Sequence, residues 1–289
     1  HFQWLTVQHL DGRLLPRRRA GDSATGTRPK LVITAHDVMP REPRPGQLAA
    51  QRRLYDRFDA VVVHSAHGRA RLTDELGVDP DRVHVIPHGA FTQMVPEAPP
   101  PLYAPGASER DRWPEVLCFG LMRPYKGIDV LLEAWRGIEG ADLLIAGLPR
   151  MDIAPLRVAA PPNVTFEAYF LSEGELSARF ERAALVVLPY REIDQSGVLF
   201  TALAFGKPLI LSDVGGFPEL AATGAARIVP AGDPAALHTA LRELLDDPAA
   251  RAQMADCARA AAAGPYSWEA VAEAHLTLYR GLLGENPPT

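Results

Sequence analysis

The sequence of 289 residues has little cysteine, few aromatics and no long apolar run. Its two cysteines, Cys118 and Cys257, lie far apart and lack metal-ligand spacing. They exclude a disulfide framework and a zinc-finger type of site, and they fit a reducing compartment. Cys118 stands inside an apolar run and reads as core, and Cys257 stands in an alanine-rich stretch. No apolar stretch approaches the roughly 20 residues needed to span a bilayer. No signal-peptide pattern is read either. Neither sign of charge dominates: the net charge is −5 and the pI about 6.0, so nothing calls for nucleic acid as a partner. The one basic cluster, Arg17-Arg18-Arg19, sits among Gly, Pro, Ser and Thr. It reads as a solvated loop, or else as a contact for an anionic acceptor or a membrane surface.

What is present is 47% hydrophobic and 22% charged, ordinary for a globular chain long enough for two domains. Short β-branched runs recur at residues 30–35, 60–64, 83–86, 116–119, 142–146, 164–167, 185–188, 208–211 and 227–229. Most are continuously apolar, the pattern of strands buried on both faces of a parallel sheet. Helical patterns fall between them, at 47–58, 66–76, 128–138, 173–182, 197–205, 234–245, 249–262 and 268–283. The β-α-β-α order predicts an α/β, doubly wound architecture. Proline crowds residues 96–114, which reads as an interdomain linker followed by a surface loop. The resulting division is 1–97, 98–266 and a terminal helix over 267–289. Few strands precede the linker, so the first domain reads as incomplete. The chain opens on His1 rather than Met, as though its numbering starts within a longer protein.

Ligands of such sheets bind beyond the carboxyl ends of the strands. After 116–119 come Gly120, Leu121, Met122, Arg123, Pro124, Tyr125, Lys126 and Gly127, then a helix. Two cations between glycines at a helix start suit a phosphate, and they also fit a surface loop with incidental charge. After 185–188 come Asp194, Gln195, Ser196 and Gly197. Ser196 reads as a helix N-cap, with amides behind it for a second phosphate edge and Asp194 and Gln195 for sugar hydroxyls; a plain capped helix is the other reading. After 208–211 comes Gly215-Gly216-Phe217-Pro218-Glu219, where glycines admit a ligand close to the backbone or simply make a tight turn. In the first domain the run 31–35 delivers His36-Asp37. His36 serves there either as a cleft residue or as a structural histidine. His64, His67, His84 and His88 lack acidic partners at metal-ligand spacing, so no metal site is read. Ser65 reads as an N-cap.

Taken in order, Thr34-Ala35-His36-Asp37, Val85-Ile86-Pro87-His88-Gly89, Gly120 through Gly127, Ser196 through Pro208 and Gly215 through Glu219 resemble the retaining GT-B-fold glycosyltransferases of the family 4 group (glycosyl transferases group 1). The resemblance spans about residues 2–283. It implies two facing Rossmann-like domains with parallel sheets, a donor side in the second domain and an acceptor side in the first. It implies that the terminal helix packs back toward the first domain. Its implied activity is metal-independent, retaining transfer of a hexose-type sugar from a nucleoside-diphosphate donor to a sugar, lipid-linked or small-molecule acceptor, without a cofactor. Carried over residue by residue, Lys126 is the diphosphate lysine, His36 the histidine near the donor sugar, Gly215 and Gly216 the donor-loop glycines and Glu219 the glutamate after them. Gly120, Arg123, Asp194, Gln195, Ser196 and Gly197 complete the donor-side set. The family arginine that follows the glycine is replaced by Leu121, with Arg123 two positions on. The paired glutamates fall at Ile193 and Thr201, with Asp194 beside the first. The expected location is cytoplasmic, or peripheral at the inner membrane surface. Two other readings stay open: a truncated or degenerate nucleotide-binding module without transfer, and a sugar-nucleotide 2-epimerase on the same fold.

Overall fold

The computed structural model describes residues 1–3, 29–40, 44–97 and 113–285. The Arg17–Arg19 cluster and most of the proline-rich stretch, residues 98–112, lie outside them. The chain divides into two compact units. One holds residues 1–88 and 268–289, and the other residues 89–267.

In the first unit, β1 (Val32–Thr34), β2 (Ala60–Val63) and β3 (Val83–Val85) form a parallel sheet in that order. Val32 lies opposite Ala60, and Val61 opposite Val83. Phe2 adds a parallel bridge on the edge of β1 away from β2, through Phe2 N to Val32 O at 2.8 Å and Thr34 N to Phe2 O at 2.9 Å. Alternate strand residues bury on opposite faces. Ile33, Val61, Val63 and Val83 join Leu54 and Tyr55 of α1 (Gln47–Tyr55). Val32, Ala60 and Val62 pack with Val271 of α9 (Trp268–Leu283), with Leu278 and Tyr279 of that helix against them. Burial on both faces explains why β2 reads as an unbroken apolar run. Ser65 caps α2 (Ala66–Ala70) by accepting from Gly68 N at 3.0 Å. The expected helix over 66–76 changes character midway, since Arg71–Glu75 is a π-helical turn.

In the second unit, six parallel strands form one sheet. They are β4 (Glu115–Phe119), β5 (Asp142–Ala146), β6 (Val164–Glu167), β7 (Ala183–Leu188), β8 (Leu209–Ser212) and β9 (Ala226–Val229). Their order across the sheet is β6-β5-β4-β7-β8-β9. Val116, Leu143, Leu185, Val187 and Ile210 face one layer, with α3 (Ile128–Ala134) and α7 (Pro234–Asp246). Leu117, Leu144, Val186, Leu188 and Leu209 face the other, with α5 (Glu173–Arg182), α6 (Gly197–Ala204) and α8 (Pro248–Ala263). A short helix, α4 (Ala154–Ala159), is absent from the expected set. Its six residues include no buried one and carry Pro155 in the first turn, so it has no apolar stripe to announce it.

Residues 89–97, grouped on sequence with the first domain, belong to the second unit. Ala90 is buried, and Phe91, Met94 and Val95 pack beside Leu199 and Phe200 in the second unit's core. Apolar burial, rather than proline density, sets which core this stretch joins. Among the described residues no helix is long and apolar enough to cross a membrane.

Candidate active site

The winding of the larger sheet reverses between β4 and β7. The chain runs outward from β4 through β5 to β6, then returns to β4's other side as β7. A crevice opens beyond the carboxyl ends of strands at such a switch point. The two loops that border it are those following β4 and β7, where Gly120 through Gly127 and Asp194 through Gly197 stand.

Glycines let these loops close on one another. At Gly127, with φ of 67°, a Cβ would lie 1.9 Å from the Pro189 carbonyl oxygen of the β7 loop. At Gly215, with φ of 57°, a Cβ would lie 1.8 Å from Ile193 O. No side chain fits at either distance, so the loops after β4, β7 and β8 form one packed rim. Gly216 starts a 3-10 turn over Phe217–Thr223, and Glu219 stands exposed in its first turn. The charge of Glu219 helps raise the Tyr266 hydroxyl above its usual range, second to burial of that ring.

Lys126 is the buried cation of this rim, 8% exposed. A 3-10 turn over Pro124–Lys126 carries it, closed by Lys126 N donating to Arg123 O at 3.0 Å. Its ammonium donates to the Tyr190 hydroxyl and lies 3.8 Å from the Tyr190 ring centroid. The Tyr125 centroid is 5.6 Å away. Aromatic faces stabilise a cation without neutralising it. A Cβ at Gly120 would stand 3.4 Å from Lys126 Nζ, so the glycine keeps that side of the ammonium clear of a side chain. Behind the rim, burial pushes the Cys118 thiol up to about 12, with the Lys126 charge opposing, so Cys118 is an inert core residue.

Ser196 holds the cap position of α6, but its side chain does not cap the helix. It is buried, and its Oγ lies 3.4 Å from the Tyr190 hydroxyl. The expected capping bond gives way to a Lys126–Tyr190–Ser196 chain. Asp194 and Gln195 are half-buried on the same loop, and Gly197 is exposed at the start of α6. Thr201 donates to Gly197 O at 3.1 Å, so its hydroxyl is used inside the helix.

Tyr190, Arg191 and Asp129 were not legible as site residues in the sequence, whereas Arg123 was. Tyr190 stands two residues beyond β7, a place the strand pattern marks without assigning a partner. Arg191 forks onto Asp129, with Nη1 and Nη2 at 2.7 and 2.6 Å from the two carboxylate oxygens, and Nη1 also donates to Pro124 O. This staple joins the β7 loop to the first turn of α3 and holds the Asp129 carboxyl below its usual range. Arg123 is exposed, and among the described residues its guanidinium pairs with no carboxylate.

In the first unit three histidines follow the carboxyl ends of three adjacent strands: His36 after β1, His64 after β2 and His88 after β3. His36 Nδ1 is 3.0 Å from His64 Nε2, and His64 Nδ1 is 3.0 Å from Ile86 O. The His88 ring centroid is 5.3 Å from that of His64 and 5.5 Å from Trp268. Burial, above all, lowers the His64 imidazole to about 4 and draws His36 down as well. Among the described residues no three His, Cys, Asp or Glu side chains are grouped to hold a metal ion.

Two family models match the chain. Residues 9–93 match Glycosyltransferase Family 4, and residues 113–247 match Glycosyl transferases group 1. Together the two matches make the chain similar to the group 1 and Family 4 glycosyltransferases. It is 29% identical over 317 residues to a D-inositol 3-phosphate glycosyltransferase of Kineococcus radiotolerans, covering 96% of this chain and 68% of that protein. It is 26% identical over 274 residues to a GDP-mannose:glycolipid 4-beta-D-mannosyltransferase of Xanthomonas campestris, covering 91% and 71%. Among solved structures, sucrose-phosphate synthase from Thermosynechococcus elongatus superposes with a TM-score of 0.74 at 23% identity, over 88% of this chain and 68% of that one. An Anabaena HepE structure in complex with UDP gives 0.71 at 19%, over 88% and 72%. The fold of this glycosyltransferase is therefore GT-B, and the switch-point rim lies within the stretch matched by the group 1 model.

Proposed function

We propose that this glycosyltransferase moves a hexose-type sugar from a nucleoside diphosphate to a sugar, lipid-linked or small-molecule acceptor, with retention and without a metal or cofactor. The observation that carries the reading is the buried Lys126 ammonium at the carboxyl end of the switch-point strands, held by Tyr190. A leaving diphosphate gains negative charge as the glycosidic bond breaks, and a fixed cation in a partly desolvated rim stabilises that charge more than water does. Arg123, exposed on the same loop, adds a second cation. The amides at the start of α6, after Ser196, supply donors to a further phosphate edge. Asp194 and Gln195 meet sugar hydroxyls, Gly120, Gly215 and Gly216 let the donor approach the backbone, and Glu219 follows on the same loop. His36, after β1 of the first unit, is the proposed catalytic histidine. The transition state resembles an oxocarbenium ion, and the departing phosphate takes the acceptor proton. The Xanthomonas relative is named for GDP-mannose, which supports a nucleoside-diphosphate sugar as donor without fixing its base.

A second reading is favoured by one observation. Thr201, in the place of the family's second glutamate, spends its hydroxyl on Gly197 O. On that reading the chain binds a nucleotide and transfers nothing. Calorimetry with UDP, GDP, ADP and dTDP, followed by a transfer assay with the nucleotide sugar of whichever binds, separates the two. Lys126→Ala is expected to abolish measurable nucleotide binding and to lower turnover by about tenfold to a thousandfold, on the scale of one lost charge-stabilising donor. Full turnover in Lys126→Ala sinks the donor assignment, and binding without product favours the second reading. Product anomeric configuration, read by proton coupling constants, tests retention. Unchanged activity in a chelator tests metal independence.

A further inference from the structure

The three histidines of the first unit form a directed chain. Ile86 O is a backbone carbonyl and can only accept a hydrogen bond. It lies 3.0 Å from His64 Nδ1, so that nitrogen carries a proton. A neutral His64 then has a lone pair on Nε2. His36 Nδ1, 3.0 Å away, must supply the proton that this lone pair accepts. A neutral His36 is left with a bare Nε2. The opposite direction would place two lone pairs, or a lone pair and a carbonyl, face to face at one of the two contacts.

At the other nitrogen of His36, Nε2 lies 3.2 Å from Gln3 Oε1, so this polarity requires the Gln3 amide to be turned. An amide can be turned end for end so that its nitrogen donates, whereas a backbone carbonyl cannot. The fixed acceptor decides the polarity of the chain, and the Gln3 amide follows it. Both rings sit where burial disfavours the charged form, His88 adds like-charge pressure on each, and Asp37 opposes it at His36. His275 bears on His64 from α9 with the same sign as His88. The surroundings thus favour the neutral form of both rings.

We infer that His64 is a positioning residue: through the Ile86 carbonyl it fixes His36 as the Nδ1–H tautomer and keeps His36 Nε2 as a hydrogen-bond acceptor. The chemical consequence is specific. A bare Nε2 accepts from a hydroxyl and cannot donate to a phosphate oxygen. Its partner in the reaction is therefore a hydroxyl of the transferred sugar or of the acceptor. This consequence rests on the proposed role of His36 in transfer, whereas the tautomer itself does not.

The test uses the whole chain labelled with 15N. Long-range proton–nitrogen spectra report which ring nitrogen of each neutral histidine carries the proton, and His36→Gln assigns the His36 signals. Wild type is expected to show His36 protonated on Nδ1. In His64→Phe, which fills the space but offers no acceptor, His36 is expected to shift toward the Nε2–H form. His64→Gln, whose amide oxygen can accept from His36 Nδ1, is expected to restore the wild-type pattern. In transfer assays His64→Phe is expected to lose about three- to tenfold in kcat, the factor one neutral hydrogen bond sets between tautomers. Nucleotide affinity stays unchanged, and His64→Gln recovers most of the loss. A wild-type His36 protonated on Nε2, or a His36 pattern unmoved in His64→Phe, overturns the inference. A shifted tautomer with full kcat overturns the positioning role in transfer. A wild-type chain with no transfer activity overturns the functional reading instead, while the spectra still decide the tautomer.

Discussion

Gly127→Ala is the sharpest probe of the rim, because two penalties fall on one methyl group. The first is conformational. Gly127 has φ of 67°, and an L-residue there costs about 1–2 kcal/mol. The second is steric. The new Cβ would lie 1.9 Å from Pro189 O and 3.0 Å from Pro189 C, both backbone atoms of the β7 loop. An ordinary contact requires the loop to retreat by about 1.5 Å or more, and such overpacking costs about 1–3 kcal/mol. Together they predict a loss of about 2–5 kcal/mol. Gly140→Ala isolates the two parts. Gly140 has φ of 72°, and nothing lies within 4 Å of its Cβ position, so it carries the first penalty alone. The assay is urea unfolding of both variants, with calorimetric nucleotide binding alongside. Gly127→Ala is expected to be the less stable by about 1–3 kcal/mol and to bind nucleotide at least tenfold more weakly, since Pro189 directly precedes Tyr190, the partner of Lys126. Equal stability of the two variants refutes the contact argument. Full nucleotide affinity in Gly127→Ala would show that the β7 loop is not part of the binding rim.

Two further expectations follow from named contacts. His64 is lowered in the folded chain to about 4 from an ordinary 6.5, so below pH 6.5 the unfolded chain binds the proton that the folded chain refuses. Stability contributed at neutral pH is lost as pH falls from about 6.5 toward 4, by about 3 kcal/mol in all and about 2 kcal/mol by pH 5. Denaturant midpoints at pH 7 and 5 should converge for His64→Gln relative to wild type, and an identical pH dependence in the two would refute the assignment. Arg191→Ala removes the fork onto Asp129, but both side chains are about half exposed. It should cost no more than about 1 kcal/mol in stability. Nucleotide affinity should fall further than that cost alone implies, because the staple holds the β7 loop against the β4 loop, and a melting curve beside a binding isotherm separates the two effects.

All nine expected strands are present within two residues of their expected limits, and the expected helices are present, several of them shorter. Most of the strands are legible because burial on both faces calls for a continuous apolar run, as in β2, β7 and β8. The order of motifs likewise places Lys126, Arg123 and the glycines at strand ends. Where the sequence misled, side-chain direction was the missing quantity. Ser196 reads as a cap from its place before α6, yet its hydroxyl turns to Tyr190, which only the packed loop brings within reach. The proline-rich stretch reads as the border of the first domain. The border instead falls at residue 88, because Phe91 and Met94 find apolar partners in the second core.

By itself, then, the sequence determined the α/β pattern, the family resemblance and the loops where ligand chemistry gathers. Those depend on residue type and local spacing, which a linear string preserves. Tertiary structure alone decided that Tyr190 holds Lys126, that Arg191 staples Asp129, and that His36, His64 and the Ile86 carbonyl form one directed chain. These partners lie 64, 62, 28 and 22 residues apart. Parallel strands must be joined by crossovers, so residues at neighbouring carboxyl ends are distant in sequence and meet only once the sheet has formed.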